Sequence, residues 1–264
     1  NAQKICSEVE DKNGNRSGVV CSEAYKVDGS STTTRVSVAS QTAGSNGWYK
    51  ALSLKVEGTN SVSGVSSVKY CTTTNSTCTP GTNIANGGVV TLNSNANAQR
   101  VCAQTTDNKG VTSEIVCSEA YKVDASTTTI NISIASQTAG SNGWYKALSL
   151  KAVGTNNYSG VSRMKYCTTT SSTCTPTSEV EGNNVTVLLS TNASAQKVCA
   201  QAIDNKGETS SVQCSGAYKV DETAPTVSIT SSSSTTNSIT VNVSGNDAHS
   251  KISTYYYKIG SGSY

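Results

Sequence analysis

An all-β chain of tandem repeats is expected from three features of the 264-residue sequence. Apolar residues alternate with polar ones at a period of two, not at the 3.6 of a helix. The apolar vocabulary is Val, Ile, Leu, Ala and Tyr, with no Phe and 35% hydrophobic residues in all, which suits pleated, half-buried surfaces. The seventeen-residue phrase ASQTAGSNGWYKALSLK at 39–55 recurs letter for letter at 135–151, 96 positions later, and carries the only two tryptophans, Trp48 and Trp144.

The cysteines extend that repetition. There are ten: Cys6, Cys21, Cys71, Cys78, Cys102, Cys117, Cys167, Cys174, Cys199 and Cys214. The offsets 6 to 102, 21 to 117, 71 to 167 and 78 to 174 are each 96, whereas 102 to 199 and 117 to 214 are each 97, so one residue is inserted late in the second repeat. The phrase AYKVD ends at Asp28, Asp124 and Asp221 and punctuates the chain. Residues 1–28 therefore read as the tail of one repeat, 29–124 and 125–221 as full repeats, and 222–264 as the front of another. The chain is expected to be a tandem array cut out of something longer.

In the first full repeat Val36 and Val38 alternate with Ser37, and Leu52, Leu54 and Val56 alternate with Ser53 and Lys55. Further strands are expected at 65–71, 89–93, 99–106 and 112–122, separated by the turn signals NSVSG, GTNIANGG and DNKG. Ile132 and Ile134 repeat the first alternation in the second copy, and Ile239, Val241 and Val243 carry a one-face-buried strand into the last segment. About seven strands in roughly 100 residues is the size and strand count of an immunoglobulin-like sandwich. On that reading 1–28 is the C-terminal hairpin of a preceding Ig-like repeat and 222–264 the N-terminal part of a further one. The joints KVDGSS and KVDAST are too short for free swivelling, so tandem immunoglobulin-like β-sandwich domains stacked end to end are expected, with the tryptophan loops at equivalent ends.

The order NGWY, a strand, SGVSSVKYC, a polar hairpin and VCAQTTDNKG…AYKVD resembles the immunoglobulin-like repeats of large bacterial surface proteins, of the type joined by VDTTAPT; VDETAPTVSIT at 220–230 is close to that joint. The resemblance implies a cell-surface or secreted extracellular array whose repeats serve as stalks, fibres or adhesive modules, and it supplies no catalytic residue. One departure from antibody-type domains stands out. The strand holding Leu52 and Leu54 has no Cys, so the inter-sheet disulfide of those domains cannot form.

Each full repeat has cysteines spaced C-x6-C and C-x14-C, neither of which is a tight C-x2-C zinc half-site, and His249 is the only histidine. Disulfides, and with them an oxidising compartment, are the expectation; a structural zinc site of four thiolates is the alternative, and no metal or other cofactor is otherwise expected. Four cysteines permit three connectivities. Cys6 and Cys21 occur without a pair of the 71 and 78 kind, and Lys258 stands where Cys71 would align, so the spacings behave as separate local pairs. The expected bridges are Cys6 with Cys21, Cys71 with Cys78, Cys102 with Cys117, Cys167 with Cys174, and Cys199 with Cys214, the longer ones reached through a small register offset or bulge.

Nucleophilic catalysis needs a base beside the nucleophile, and one His in a partial repeat cannot serve two complete ones. Glu179 with Glu181 and Glu114 with Glu119 read as solvated strand residues and not as a general acid and base. An enzyme is not expected. The turns DKNG at 11–14 and DNKG at 107–110 and 204–207 offer too few oxygens for calcium, and read as turns in which Asp and Asn accept local backbone bonds while Gly takes positive φ. Trp48, Tyr49, Trp144 and Tyr145 are the possible ligand contacts, as an aromatic platform for a sugar ring; the structural reading has them closing one end of the sandwich or packing on the preceding domain.

The net charge of +3 comes without a basic stripe, so nucleic acid is not an expected partner. No run of eighteen apolar residues occurs, so no membrane insertion is expected in this segment, and any export signal or anchor is expected outside it. The expected partners are neighbouring repeats of the same longer chain or filament, and a glycan or host surface protein. The chain thus reads as a non-enzymatic, disulfide-stapled stalk, fibre or adhesin spacer. The competing readings are a ligand-binding module acting through the Trp48 and Trp144 loops and an Ig-like fibre or decoration protein of a phage particle. Asn1 aligns with Asn97 and Tyr264 near Thr173, so the ends are expected either to continue in a longer filament or to be completed by neighbouring copies through strand addition.

Overall fold

The structure is a computed structural model and describes residues 2–260; Asn1 and Tyr264, used above to align the ends, lie outside the described residues. Two units, Asn1–Ala125 and Ser126–Tyr264, are each compact. The described residues hold strands and no helix.

The first unit opens with four short strands, β1 (Ala2–Gln3), β2 (Cys6–Ser7), β3 (Val20–Cys21) and β4 (Tyr25–Lys26), in which β1 pairs with β4 and β2 with β3. A sandwich follows: β5 (Thr33–Ala43), β6 (Trp48–Thr59), β7 (Val65–Thr73), β8 (Thr82–Ile84), β9 (Val89–Leu92), β10 (Ala96–Asp107), β11 (Val116–Cys117) and β12 (Tyr121–Val123). Strand β6 lies between β5 and β9 in one layer, and β8, β7, β10 and β11 make the other. The period of two does the sorting. Leu52, Leu54 and Val56 on β6 are fully buried and meet Val68 of β7, Val90 and Leu92 of β9, and Val101 and Ala103 of β10, while Ser53, Lys55 and Glu57 face outwards.

The second unit repeats the plan with β13 (Thr129–Ala139), β14 (Trp144–Thr155), β15 (Val161–Thr169), β16 (Ser178–Glu181), β17 (Asn184–Leu189), β18 (Ala193–Asp204), β19 (Gln213–Cys214) and β20 (Tyr218–Val220). Its core is Leu148, Leu150, Ala152, Met164, Val187, Leu189, Val198, Ala200 and Ala202 among others. A last hairpin, β21 (Thr226–Ser234) and β22 (Ile239–Asn246), ends the pairing. The fold is therefore all-β, with two repeated immunoglobulin-like sandwiches.

Three expectations change. Residues 112–122 are not one strand: β11 pairs with β10, and the chain then crosses so that β12 pairs with both β10 and the start of β6. Serine hydroxyls drive the break, because Ser118 Oγ accepts the Val101 N–H at 3.1 Å and donates to the Glu119 carbonyl, standing in for a ladder rung. The supposed turn GTNIANGG contains β8, because Ile84 opposite Val68 adds its side chain to the edge of the core. Strand β22 forms, but Ile239, Val241 and Val243 are exposed where the matching Leu52, Leu54 and Val56 are buried, since no opposing four-stranded layer covers it among the described residues.

Candidate functional site

The two repeated phrases grip each other at the end where the chain leaves each sandwich. In SNGW the central Asn46 and Gly47 both have positive φ (54° and 75°), the requirement of a tight hairpin turn that Asn-Gly meets cheaply, and the turn closes with Trp48 N–H donating to the Ser45 carbonyl at 3.0 Å. Strand β6 leaves that turn parallel to β12, with Trp48 opposite Lys122 and Tyr49 opposite Val123. The Lys122 ammonium lies 6.0 Å from the Trp48 ring centre, and Tyr49 meets Tyr121 edge to face at 5.7 Å. Val123 is buried in the core and Asp124 N–H donates to the Tyr49 carbonyl. Trp144, Tyr145, Tyr218, Lys219, Val220 and Asp221 reproduce every one of these relations. The rings close the exit end of their own sandwich; they do not sit at the end that adjoins the preceding segment.

At the opposite end the Asp of the preceding AYKVD phrase is clamped. Asp28 Oδ1 accepts the N–H and the hydroxyl of Ser30 at 2.7 and 2.5 Å, and its Oδ2 accepts the Ser63 N–H at 3.2 Å. Lys109, from the turn after β10, donates to the Asp28 carbonyl oxygen at 2.7 Å and lies 3.4 Å from Oδ2. The Ser30 and Ser63 hydrogen bonds, with the Lys109 charge behind them, hold the Asp28 carboxyl far below the usual carboxylate range. In the second unit Lys206, fully buried, donates to the Ser126 carbonyl and pairs with Asp204 and Glu208. Asp221 repeats the Asp28 pattern, with Thr223 and Ser250 N–H groups each at 3.0 Å. Burial pushes its carboxyl up, but the Ser250 and Thr223 hydrogen bonds and the His249 charge outweigh that and leave it lowered.

The Asp-containing turns are locked by their own backbone. Asp107 Oδ1 accepts the N–H groups of Lys109 and Val111, both at 2.9 Å, and Oδ2 accepts the Thr32 hydroxyl at 2.7 Å; Gly110 has φ 88°. Asn108 departs from the expected local role, since its amide donates to the Ser63 carbonyl at 2.6 Å and ties this turn to the loop after β6. Glu179 forms exposed ion pairs with Arg163 and Lys165 on the neighbouring strand.

Beside Trp144 an open cleft of about 570 Å³ is lined by Trp144, Tyr145, Lys146, Asp221, Glu222 and Lys251, among others. It brings an aromatic ring and two carboxylates to one place. Trp48, by contrast, is only 7% exposed.

All ten cysteines are bridged in the local pairs: Cys6–Cys21, Cys71–Cys78, Cys102–Cys117, Cys167–Cys174 and Cys199–Cys214. The longer-spaced pairs need no register offset, because Cys102 and Cys117 are direct Cα partners 3.9 Å apart, closer than the usual 4.4–6.8 Å. Cys102 is also the direct partner of Cys71 on its other side. Each sandwich thus holds three cysteines in one row across three adjacent strands, which the spacing in sequence did not reveal. Five bridges are the chemistry of an oxidising compartment, and no helix among the described residues is long and apolar enough to cross a membrane.

No protein-family model matches this chain, and no curated protein matches it. Among solved structures, fibronectin(III)-like modules of Clostridium thermocellum CbhA are similar, with a TM-score of 0.28 and 12% identity over 70% of this chain and 95% of theirs. The architecture stands on the strand pairing described above.

Proposed function

We propose that this chain is a non-enzymatic extracellular segment that acts as a disulfide-stapled spacer of a stalk, fibre or adhesin. The observation that carries this reading is the clamp around Asp28. The residue that ends one segment is bonded by Ser30, by the loop after β6 through Ser63 and by the turn after β10 through Lys109, so the joint transmits load through several bonds and not through a free linker. The bridges support it too, since each closes a hairpin that would otherwise peel from an edge.

Force spectroscopy on the whole chain tests the proposal. Each sandwich is expected to give its own unfolding peak, and reduction is expected to lengthen the chain released per sandwich by about 70 Å, the reach of the residues held inside its two loops. Unravelling without peaks would remove the mechanical reading. A second reading, ligand binding at the Trp144 loop, is favoured by the aromatic and acidic lining of the cleft. Retention of one glycan class on an array, lost in Trp144→Ala, would establish it over a pure spacer.

A further inference from the structure

The two disulfides of each sandwich are neighbours. In the second unit the Sγ atoms of Cys167, Cys174 and Cys199 all lie within 4.8 Å of one another. Cys214 is bonded to Cys199, and its Sγ is 3.6 Å from the hydroxyl of Thr173, the residue next to Cys174. Cys167, Cys199 and Cys214 form one row, because Cys199 is the direct partner of Cys167 on β15 and of Cys214 on β19. Directly opposed residues point to the same face of a sheet. That face is the outer one, since Val198 and Ala200 on either side of Cys199 belong to the core. Cys199 is nonetheless buried, beneath the loop that carries Cys174.

We propose that the second sandwich becomes a four-thiolate zinc site, with Cys167, Cys174, Cys199 and Cys214 as the ligands, when a dithiol reductant opens its two bridges. Tetrahedral zinc with Zn–S bonds of about 2.3 Å needs sulfurs about 3.8 Å apart, roughly 1 Å closer than the 4.8 Å within which the Cys167, Cys174 and Cys199 sulfurs lie; Cys214, bonded to Cys199, supplies the fourth. Side-chain rotation on three fixed strands and one loop supplies that contraction. Opening both bridges takes four electrons and four protons from two dithiols, which leave as cyclic disulfides; the ion then displaces the four thiol protons. The first sandwich has the same register, with Cys102 opposite both Cys71 and Cys117, and the same threonine contact, Thr77 to Cys117 Sγ at 3.6 Å, but among the described residues only the second sandwich gathers three sulfurs within 4.8 Å of one another. Cys6 and Cys21 face only each other and make no such site. The core lies on the other face of β18, so the strands that place the thiolates keep their own apolar packing when the bridges open, although each opened bridge removes the stabilisation it contributes.

Cobalt titration of the whole chain, reduced and kept free of oxygen, tests this. The expected result is one ion per chain with the visible bands of tetrahedral thiolate cobalt, displaced by zinc, none before reduction, and loss of those bands in Cys167→Ser. The reduced chain unfolded in urea is the reference for cysteines without a scaffold, and it is expected to bind at least about tenfold more weakly, because a preformed site is absent from the unfolded state. Absence of the tetrahedral bands in the reduced chain overturns the proposal, whether or not that chain stays folded. So does an affinity equal to that in urea, or the same bands retained by Cys167→Ser.

Discussion

The second sandwich replaces a part-buried hydroxyl pair of the first with an apolar pair, and the exchange can be rerun in the first. Thr34 Oγ1 lies 2.6 Å from Thr105 Oγ1 and 2.8 Å from Ser113 Oγ, and Thr105 is fully buried. At the matching positions stand Ile130 and Ala202, while Ser210 keeps the place of Ser113 and still accepts the N–H opposite, from Ala202. Thr34→Ile alone takes the partner from the Thr105 hydroxyl, which costs about 1–3 kcal/mol, and crowds that side chain at about 1 kcal/mol more. Thr105→Ala alone leaves Thr34 bonded to Ser113 and costs about 1–2 kcal/mol for the hydrogen bond and the lost methyl. Together they recreate the Ile–Ala pair, with no orphaned hydroxyl and with the volume redistributed, so a favourable coupling of about 2 kcal/mol is expected.

The assay is urea unfolding followed by Trp48 fluorescence in a Trp144→Phe background, so that the signal reports the first sandwich. In thermal terms Thr34→Ile is expected to lower the transition by about 10–20 °C and the second substitution, whose own cost the coupling outweighs by only about 0.5 kcal/mol, to return about 2–4 °C of that, at roughly 4–8 °C per kcal/mol for a domain of this size. Single effects that add to the double within about 0.5 kcal/mol would refute the reasoning, because the two hydroxyls would then not be acting as a pair.

Removing Cys102 and Cys117 together by alanine is expected to cost about 3 kcal/mol, and removing Cys71 and Cys78 about 2.4 kcal/mol, from loop separations of 15 and 7 residues; denaturant midpoints under oxidising conditions give the order. Gly58→Ala is expected to cost about 1–3 kcal/mol by overpacking, since its Cβ would lie 2.4 Å from Thr105 Cγ2; a midpoint equal to wild type would show that Thr105 can turn away. The Asp28 carboxyl is depressed in the folded chain, so its stabilising part is complete above the ordinary carboxyl value near 4 and declines as pH falls from there towards the folded value. The protection of the Ser30 and Ser63 amides, taken relative to the intrinsic exchange rate at each pH, should fall over that acid range in wild type, and Asp28→Asn should show less protection at neutral pH and lose the pH step.

The period of two made the long strands legible, because Leu52, Leu54 and Val56 bury one face and nothing competes with that pattern. The cysteine pairing was legible as well, since each pair closes its own hairpin. What the pattern could not carry was any element whose pairing depends on a side-chain hydroxyl. Ser113, Ser118 and Ser210 each accept a backbone N–H from the central strand, and a serine in a serine-rich chain does not announce that role. The strand crossing at residues 118–120 follows from it, and with it the parallel pairing that sets AYKVD against GWYK. Duplication was visible in the sequence, but which phrase grips which was not, because the partners are about 70 residues apart in sequence. The joint shows the same limit. Its turn lysines look like solvated loop residues, yet Lys109 and Lys206 both reach a backbone carbonyl at the start of their own sandwich, about 80 residues away. An ammonium held by a carbonyl and a carboxylate satisfies in place the oxygens that a cation would otherwise bridge. The repeated DNKG turn therefore works as a latch whose Asp shapes the turn and whose Lys ties it to the first residues of its own sandwich.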